Sequence, residues 1–193
     1  MEASEFAEIS NKNIIQALAD AGVPSLSLSG EQLARVFKKG SSSDSAVLYY
    51  KGTVALLVDK DPESAIRYFN AASIPESEYL LAKIYLKRED FKKTVMHFEA
   101  AAQRGFARAA NDLGHYFHHA KTEPNATVLA EKYYRLAISL GPSNAAFNLG
   151  VLLLELERVE EAEAQFRSGA EAGNLNCARH LDRLLSRNSA SQC

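Results

Sequence analysis

Apolar and small residues recur along this chain at helical spacing, three to four positions apart, and short polar turns interrupt them at regular intervals. Ile14, Ile15 and Leu18 predict a first helix that stops at Gly22, and residues 23–29, with Pro24, predict an extended connector. Ser29 and Gln32 make a capping-box pattern ahead of Leu33, Val36 and Phe37, and Gly40 closes that segment. After a polar stretch over 41–45, with Asp44 or Ser45 as the next N-cap, a more regular pattern begins near Ala46. At the far end Ala178, Leu181, Leu184 and Leu185 share one face of a helix, and Arg179, Asp182, Arg183 and Arg187 share the other.

Between these ends the same marks return four times. A small residue on a first helix falls at Gly52, Ala82, Gly114 and Gly150, in steps of 30, 32 and 36 residues. A second mark falls at Ala65, Thr94, Ala130 and Ala162. Four residues after each comes an aromatic (Phe69, Phe98, Tyr134, Phe166), and seven after comes a small residue (Ala72, Ala101, Ala137, Gly169). The two marks of a unit lie 12 to 16 positions apart, the separation of two antiparallel helices joined by a short turn. Such a repeat predicts a stacked array, because no unit can bury its apolar face alone.

A helical Gly costs about 1 kcal/mol relative to Ala, so its recurrence predicts a close approach of two helix backbones, with Ala or Thr opposite. The aromatic is then expected to fill the space between successive units. Pro75 suits the first turn of a helix. The turn over 118–128, with Pro124, is about four residues longer than its counterparts and belongs on the turn edge.

Leu33, Phe37 and Gly40 repeat the offsets of Ala65, Phe69 and Ala72 one 32-residue step earlier, and Ala21 falls at the first-helix mark. Residues 1–45 therefore read as a helical leader that is either a degenerate capping repeat or an unrelated helical segment. Residues 46–187 read as four helix-pair repeats plus a C-terminal capping helix, and 188–193 as a disordered tail.

Composition narrows the function classes. Hydrophobic residues make up 47% and charged residues 24%, the balance of a soluble folded chain, and a net charge of -2 gives no general pull toward nucleic acid or anionic lipid. Cys177 and Cys193 form neither a CxxC motif nor a Cys/His zinc spacing, which predicts free thiols in a reducing compartment. Glu2, Glu5 and Glu8 break any basic-then-apolar leader pattern, and the longest apolar runs, 54–58 and 151–154, are too short to span a bilayer. The expected location is the cytoplasm, with the nucleus reachable by diffusion.

Candidate chemistry is sparse. His115 and His119 are four apart and share a helical face, with His118 between them, so a metal site is conceivable there. No suitably spaced carboxylate or cysteine accompanies them, and the simpler reading is a polar helix end. Glu155, Glu157, Glu160, Glu161 and Glu163 crowd one turn, and Lys83, Lys87, Arg88, Lys92 and Lys93 another, which predicts a turn edge running from basic to acidic. No phosphate loop, nucleophile elbow or Cys/His pair occurs. Neither an enzyme nor a resident cofactor or metal is expected.

The marks resemble those of the tetratricopeptide repeat, most fully over 143–176, with Leu149, Gly150, Ala162, Phe166 and Gly169 at that family's spacing. They also resemble its SEL-like variant, through Ala145, Asn148, Leu149 and Gly150 and the paired Tyr133 and Tyr134 followed by Ala137 and Gly141. Lys51, Ala82 and Thr94 depart from the pattern. The resemblance implies an all-α fold, an α-solenoid of antiparallel helix pairs wound into a right-handed superhelix, whose inner wall holds a partner's peptide or helix. On that implication the groove would be lined by Tyr49, Thr53, Tyr79, Lys83, Arg108, Asn111, Asp112, His115, Phe147, Asn148 and Val151. This mixed aromatic, cationic and amide surface suits another protein's peptide segment or helix of acidic character, and neither nucleic acid nor membrane. It does not reproduce the carboxylate clamp of chaperone-binding family members. The expected function is a non-enzymatic adaptor. The alternative is a structural subunit or homodimer that works through its convex face, turn edge or N-terminal segment.

Overall fold

The computed structural model describes residues 43–120, 124–141 and 144–190, with residues 187–190 as backbone only. The predicted leader up to residue 42 and residues 191–193 lie outside the described residues. Nine helices and no strand occur among the described residues: α1 (Ser45–Leu57), α2 (Pro62–Ala72), α3 (Pro75–Lys87), α4 (Phe91–Gln103), α5 (Ala107–His119), α6 (Ala126–Leu140), α7 (Ala145–Glu155), α8 (Val159–Glu171) and α9 (Leu175–Ala190). The last helix continues past Arg187, the expected end of the capping helix, so residues 188–190 are helical rather than tail.

Local chemistry sets the boundaries. Asp44 Oδ1 accepts from the amides of Ala46 and Val47 at 3.0 and 3.2 Å, and Asp61 Oδ1 from those of Glu63 and Ser64 at 3.1 and 3.0 Å. Asn174 caps α9 in the same way, through the amides of Asn176 and Cys177. Each such cap is worth about 1 kcal/mol. Pro62 and Pro75 occupy first turns, where the missing amide proton costs nothing. Chain reversals use left-handed backbone: Lys60, Glu89, Asn125 and Glu157 in the turns between the helices of a pair, and Ser73, Gly105, Gly141 and Gly173 between pairs.

Packing divides the chain into two compact units, with the boundary between His97 and Phe98. Each is a stack of antiparallel helix pairs, the architecture of an all-α solenoid. In the first unit the core holds Val47, Tyr49, Ala65, Phe69, Ala72, Tyr79, Leu81 and Ala82. His97 Nδ1 lies 2.7 Å from Glu78 Oε2, and its ring stacks on Tyr85. Thr94, at a position otherwise held by Ala, is buried without loss because its hydroxyl donates to the Asp90 carbonyl at 2.9 Å. In the second unit Leu113, Phe117, Tyr134, Leu149, Leu153 and Phe166 form the core, and Phe117 stacks on Tyr133.

The recurrent glycines make room for rings. A β-carbon on Gly52 would stand 2.6 Å from Cε1 of Phe69, and one on Gly114 2.6 Å from Cδ1 of Tyr134. One on Gly150 would stand 2.5 Å from Cε1 of Phe166. In the first, third and fourth pairs the aromatic of the second helix thus packs against the glycine of its own first helix, and Phe166 also meets the His180 ring of the following helix, 5.4 Å between centroids. The capping helix differs from expectation. Its buried anchor is Cys177, seated on Gly169, while Leu185 remains exposed.

Candidate interaction surface

The first helices carry the residues expected to line the groove, and the structure sorts them by burial. Tyr49, Thr53 and Tyr79 are core residues: Tyr49 and Thr53 are 0% exposed and Tyr79 2%. They are not available to a partner, which corrects the expectation for these three. The cause is that α1 is buried on every side. Each residue from Val47 to Thr53 is buried, so this helix has no open face. The Thr53 hydroxyl donates to the Tyr50 carbonyl at 2.8 Å. Burial, reinforced by the neighbouring charges of Tyr50 and Glu76, drives the Tyr49 phenol far above its ordinary range.

The remaining eight are accessible. Lys83, on α3 in the first unit, is exposed. In the second unit Arg108 and His115 are exposed, and Asn111, Asp112, Phe147, Asn148 and Val151 are half-buried. Here α5 and α7 are joined directly: Asn148 Nδ2 donates to Asn111 Oδ1 at 2.9 Å, and Asn111 Nδ2 reaches Asp112 at 3.4 Å. Phe147 packs edge-on against His180 of α9, with ring centroids 4.9 Å apart. The result is a strip of amides flanked by an arginine, a carboxylate and one aromatic edge.

At the C-terminal end of α5, His118 Nε2 donates to Glu155 at 2.8 Å, and its Nδ1 lies 3.3 Å from the Tyr134 hydroxyl. His115 and His119 approach each other through their Nε2 atoms at 3.2 Å. Among the described residues no group of three or more His, Cys, Asp or Glu side chains is placed to hold a metal ion.

Much of the acidic turn edge is paired. Glu131 accepts from Arg158 and Arg135, each at 2.7 Å, and Arg158 Nε donates to Glu161 at 2.6 Å. The bond from Arg158 holds the Glu131 carboxyl below its ordinary value, helped by Arg135 and opposed by partial burial. Arg158 lowers Glu161 likewise. In the first unit Arg88 pairs with Glu63 at 2.7 Å and Lys93 with Asp90 at 3.2 Å. The phenols of Tyr133 and Tyr134 and the Cys177 thiol are also raised, chiefly by burial. Raised phenols and a raised thiol are poor bases and nucleophiles at neutral pH.

Sequence reasoning missed a set of exposed apolar side chains at the turns within pairs. These are Val58 in the first pair, Phe91 in the second, Val128 in the third, and Leu156 and Val159 in the fourth. Their signal is an apolar residue beside a polar turn, and it is faint because single exposed apolar residues are common.

Residues 44–73, 75–106 and 107–142 each match the Sel1 repeat model, and together they make up more than half of the chain. This chain belongs to the Sel1 repeat family. The three Sel1 matches coincide with the pairs α1–α2, α3–α4 and α5–α6. Sel1 repeats are generally non-catalytic protein-interaction modules, and Sel1 repeat proteins bind other proteins. No helix among the described residues is long and apolar enough to cross a membrane.

Proposed function

We propose that this protein is a non-enzymatic adaptor that holds a peptide segment or helix of a partner protein against the first helices of its repeats. The observation that carries this reading is the Asn111–Asn148 pair. It fixes two half-buried amides on successive first helices, and among the described residues the Asn148 side-chain carbonyl meets no donor. That oxygen suits an extended backbone N–H, while Phe147 and Val151 offer apolar contact beside it. Exposed Arg108 favours an acidic segment, as exposed Lys83 does on the first unit taken by itself. The binding residues proposed are Lys83, Arg108, Asn111, Asp112, His115, Phe147, Asn148 and Val151.

The fourth pair, α7–α8, lies outside the matched residues, and we propose it as a fourth repeat. The Gly150–Phe166 contact supports this, since it repeats Gly52–Phe69 and Gly114–Tyr134. In this reading residues 46–187 are four repeats and a capping helix. The proposed setting is the cytoplasm or nucleus, where the buried thiol of Cys177 stays reduced.

The test is quantitative capture of partners by full-length protein and by Arg108→Glu combined with Asn148→Ala. Capture should fall at least about tenfold, the equivalent of ~1.4 kcal/mol, while stability falls by no more than the roughly 1 kcal/mol that loss of the Asn148–Asn111 bond accounts for. Undiminished capture would contradict the reading. A second reading, docking through the turn edge as a subunit of a larger assembly, is favoured by the exposed Val58, Phe91, Val128, Leu156 and Val159. It predicts that charged substitutions at those residues abolish capture instead.

A further inference from the structure

We propose that His115 and His119 form a binding site for a divalent metal ion of the zinc class. The two residues are one turn apart at the C-terminal end of α5, and both are exposed. Their Nε2 atoms stand 3.2 Å apart. Two nitrogens each bound at about 2.0–2.1 Å to a tetrahedral zinc stand roughly 3.3 Å apart, so the rings already hold the spacing that two ligands need. Neutral imidazole suits zinc, copper and nickel. The site also lies where the carbonyl end of the helix dipole favours a cation.

The second ligand is held in place by its neighbour. The His119 ring lies parallel to that of His118, with centroids 5.0 Å apart and planes 5° apart. His118 is in turn fixed at both ring nitrogens, by Glu155 and by the Tyr134 hydroxyl. Tyr134 is itself buried on Gly114. A chain of contacts therefore runs from the core to an exposed imidazole, which limits the rotamer freedom lost when a metal binds. With no third protein donor among the described residues, the ion keeps positions open to water or to a donor from a bound protein. The pair would act as a linking site and not as a closed structural one.

The test uses full-length protein without a histidine tag. It is titrated with zinc chloride in a non-coordinating buffer and followed by calorimetry and by the NMR signals of the histidine rings. The expected result is one zinc per chain, with the His115 and His119 ring signals shifting together. Loss of an outer-sphere partner alone typically costs 10- to 100-fold in metal affinity, so His115→Ala or His119→Ala should each cost about tenfold or more. His180→Ala should cost nothing. The exposed positions allow both variants to fold, and the ring signals of the unmodified protein report zinc binding without them. Unmoved ring signals, or affinity equal to that of the unmodified protein in both variants, would overturn the proposal.

Discussion

Cε1 of Phe166 lies 2.5 Å from the place a β-carbon on Gly150 would occupy, which makes the glycine a seat for the ring. Gly150→Ala gains about 1 kcal/mol of helix propensity. Overpacking of a filled core costs about 1–3 kcal/mol, so a net loss of stability is expected, larger for Gly150→Leu. Phe166→Leu should relieve part of the Gly150→Ala penalty, since two residues in contact couple. Thermal melts of the wild type, the two Gly150 variants, Phe166→Leu and the Gly150→Ala/Phe166→Leu double variant decide the matter. A raised midpoint for Gly150→Leu would mean that the contact does not form.

The carboxyl of Glu131 is held below its ordinary value by Arg158 and Arg135. Such a group adds stability above its unfolded pKa of about 4.3 and loses it as pH falls through the folded value. Glu131→Gln should therefore cost about 1 kcal/mol at pH 7 and less at pH 3, below the unfolded value. Denaturant unfolding of both proteins at the two pH values measures this. An equal deficit at both would assign the effect to packing.

Glu157 turns the chain between α7 and α8 with φ of 60°, a region that costs a non-glycine residue about 1 kcal/mol. Glu157→Gly should remove that strain, offset by extra freedom in the unfolded chain, for a net gain of about 0.5 kcal/mol. Chemical denaturation midpoints check the sign.

Cys177 is fully buried against Gly169, and burial raises its thiol above the ordinary range. In a Cys193→Ser background, a thiol reagent should modify Cys177 only as fast as α9 opens, and at the full free-thiol rate in denaturant. Rapid modification of the folded protein would show that α9 does not seal this end.

The repeat was legible in the sequence because small and aromatic residues mark every unit at matching offsets. Helix order, Pro75 at a helix start and the lengthened third turn follow from the same marks. The partner of each glycine was not legible, since spacing places Gly150 and Phe166 on facing helices without giving the ring's direction. The burial of Tyr49 and Thr53 was hidden for a different reason. An inward position in one helix pair says nothing of what covers its other faces, and α1 is covered on all of them. Tyr79 shares that fate on α3. By contrast Asn111 and Asn148 were singled out by offset alone, though only the structure joins them by a hydrogen bond.

In the proposed function, partners bind the first-helix surface. Photo-crosslinking residues placed at Val151 and at Val128 test it most directly. Val151 flanks the amide strip, and Val128 is 66% exposed at a turn. Bound protein should crosslink through position 151 and not through position 128. Crosslinks confined to position 128 would move the working surface to the turn edge.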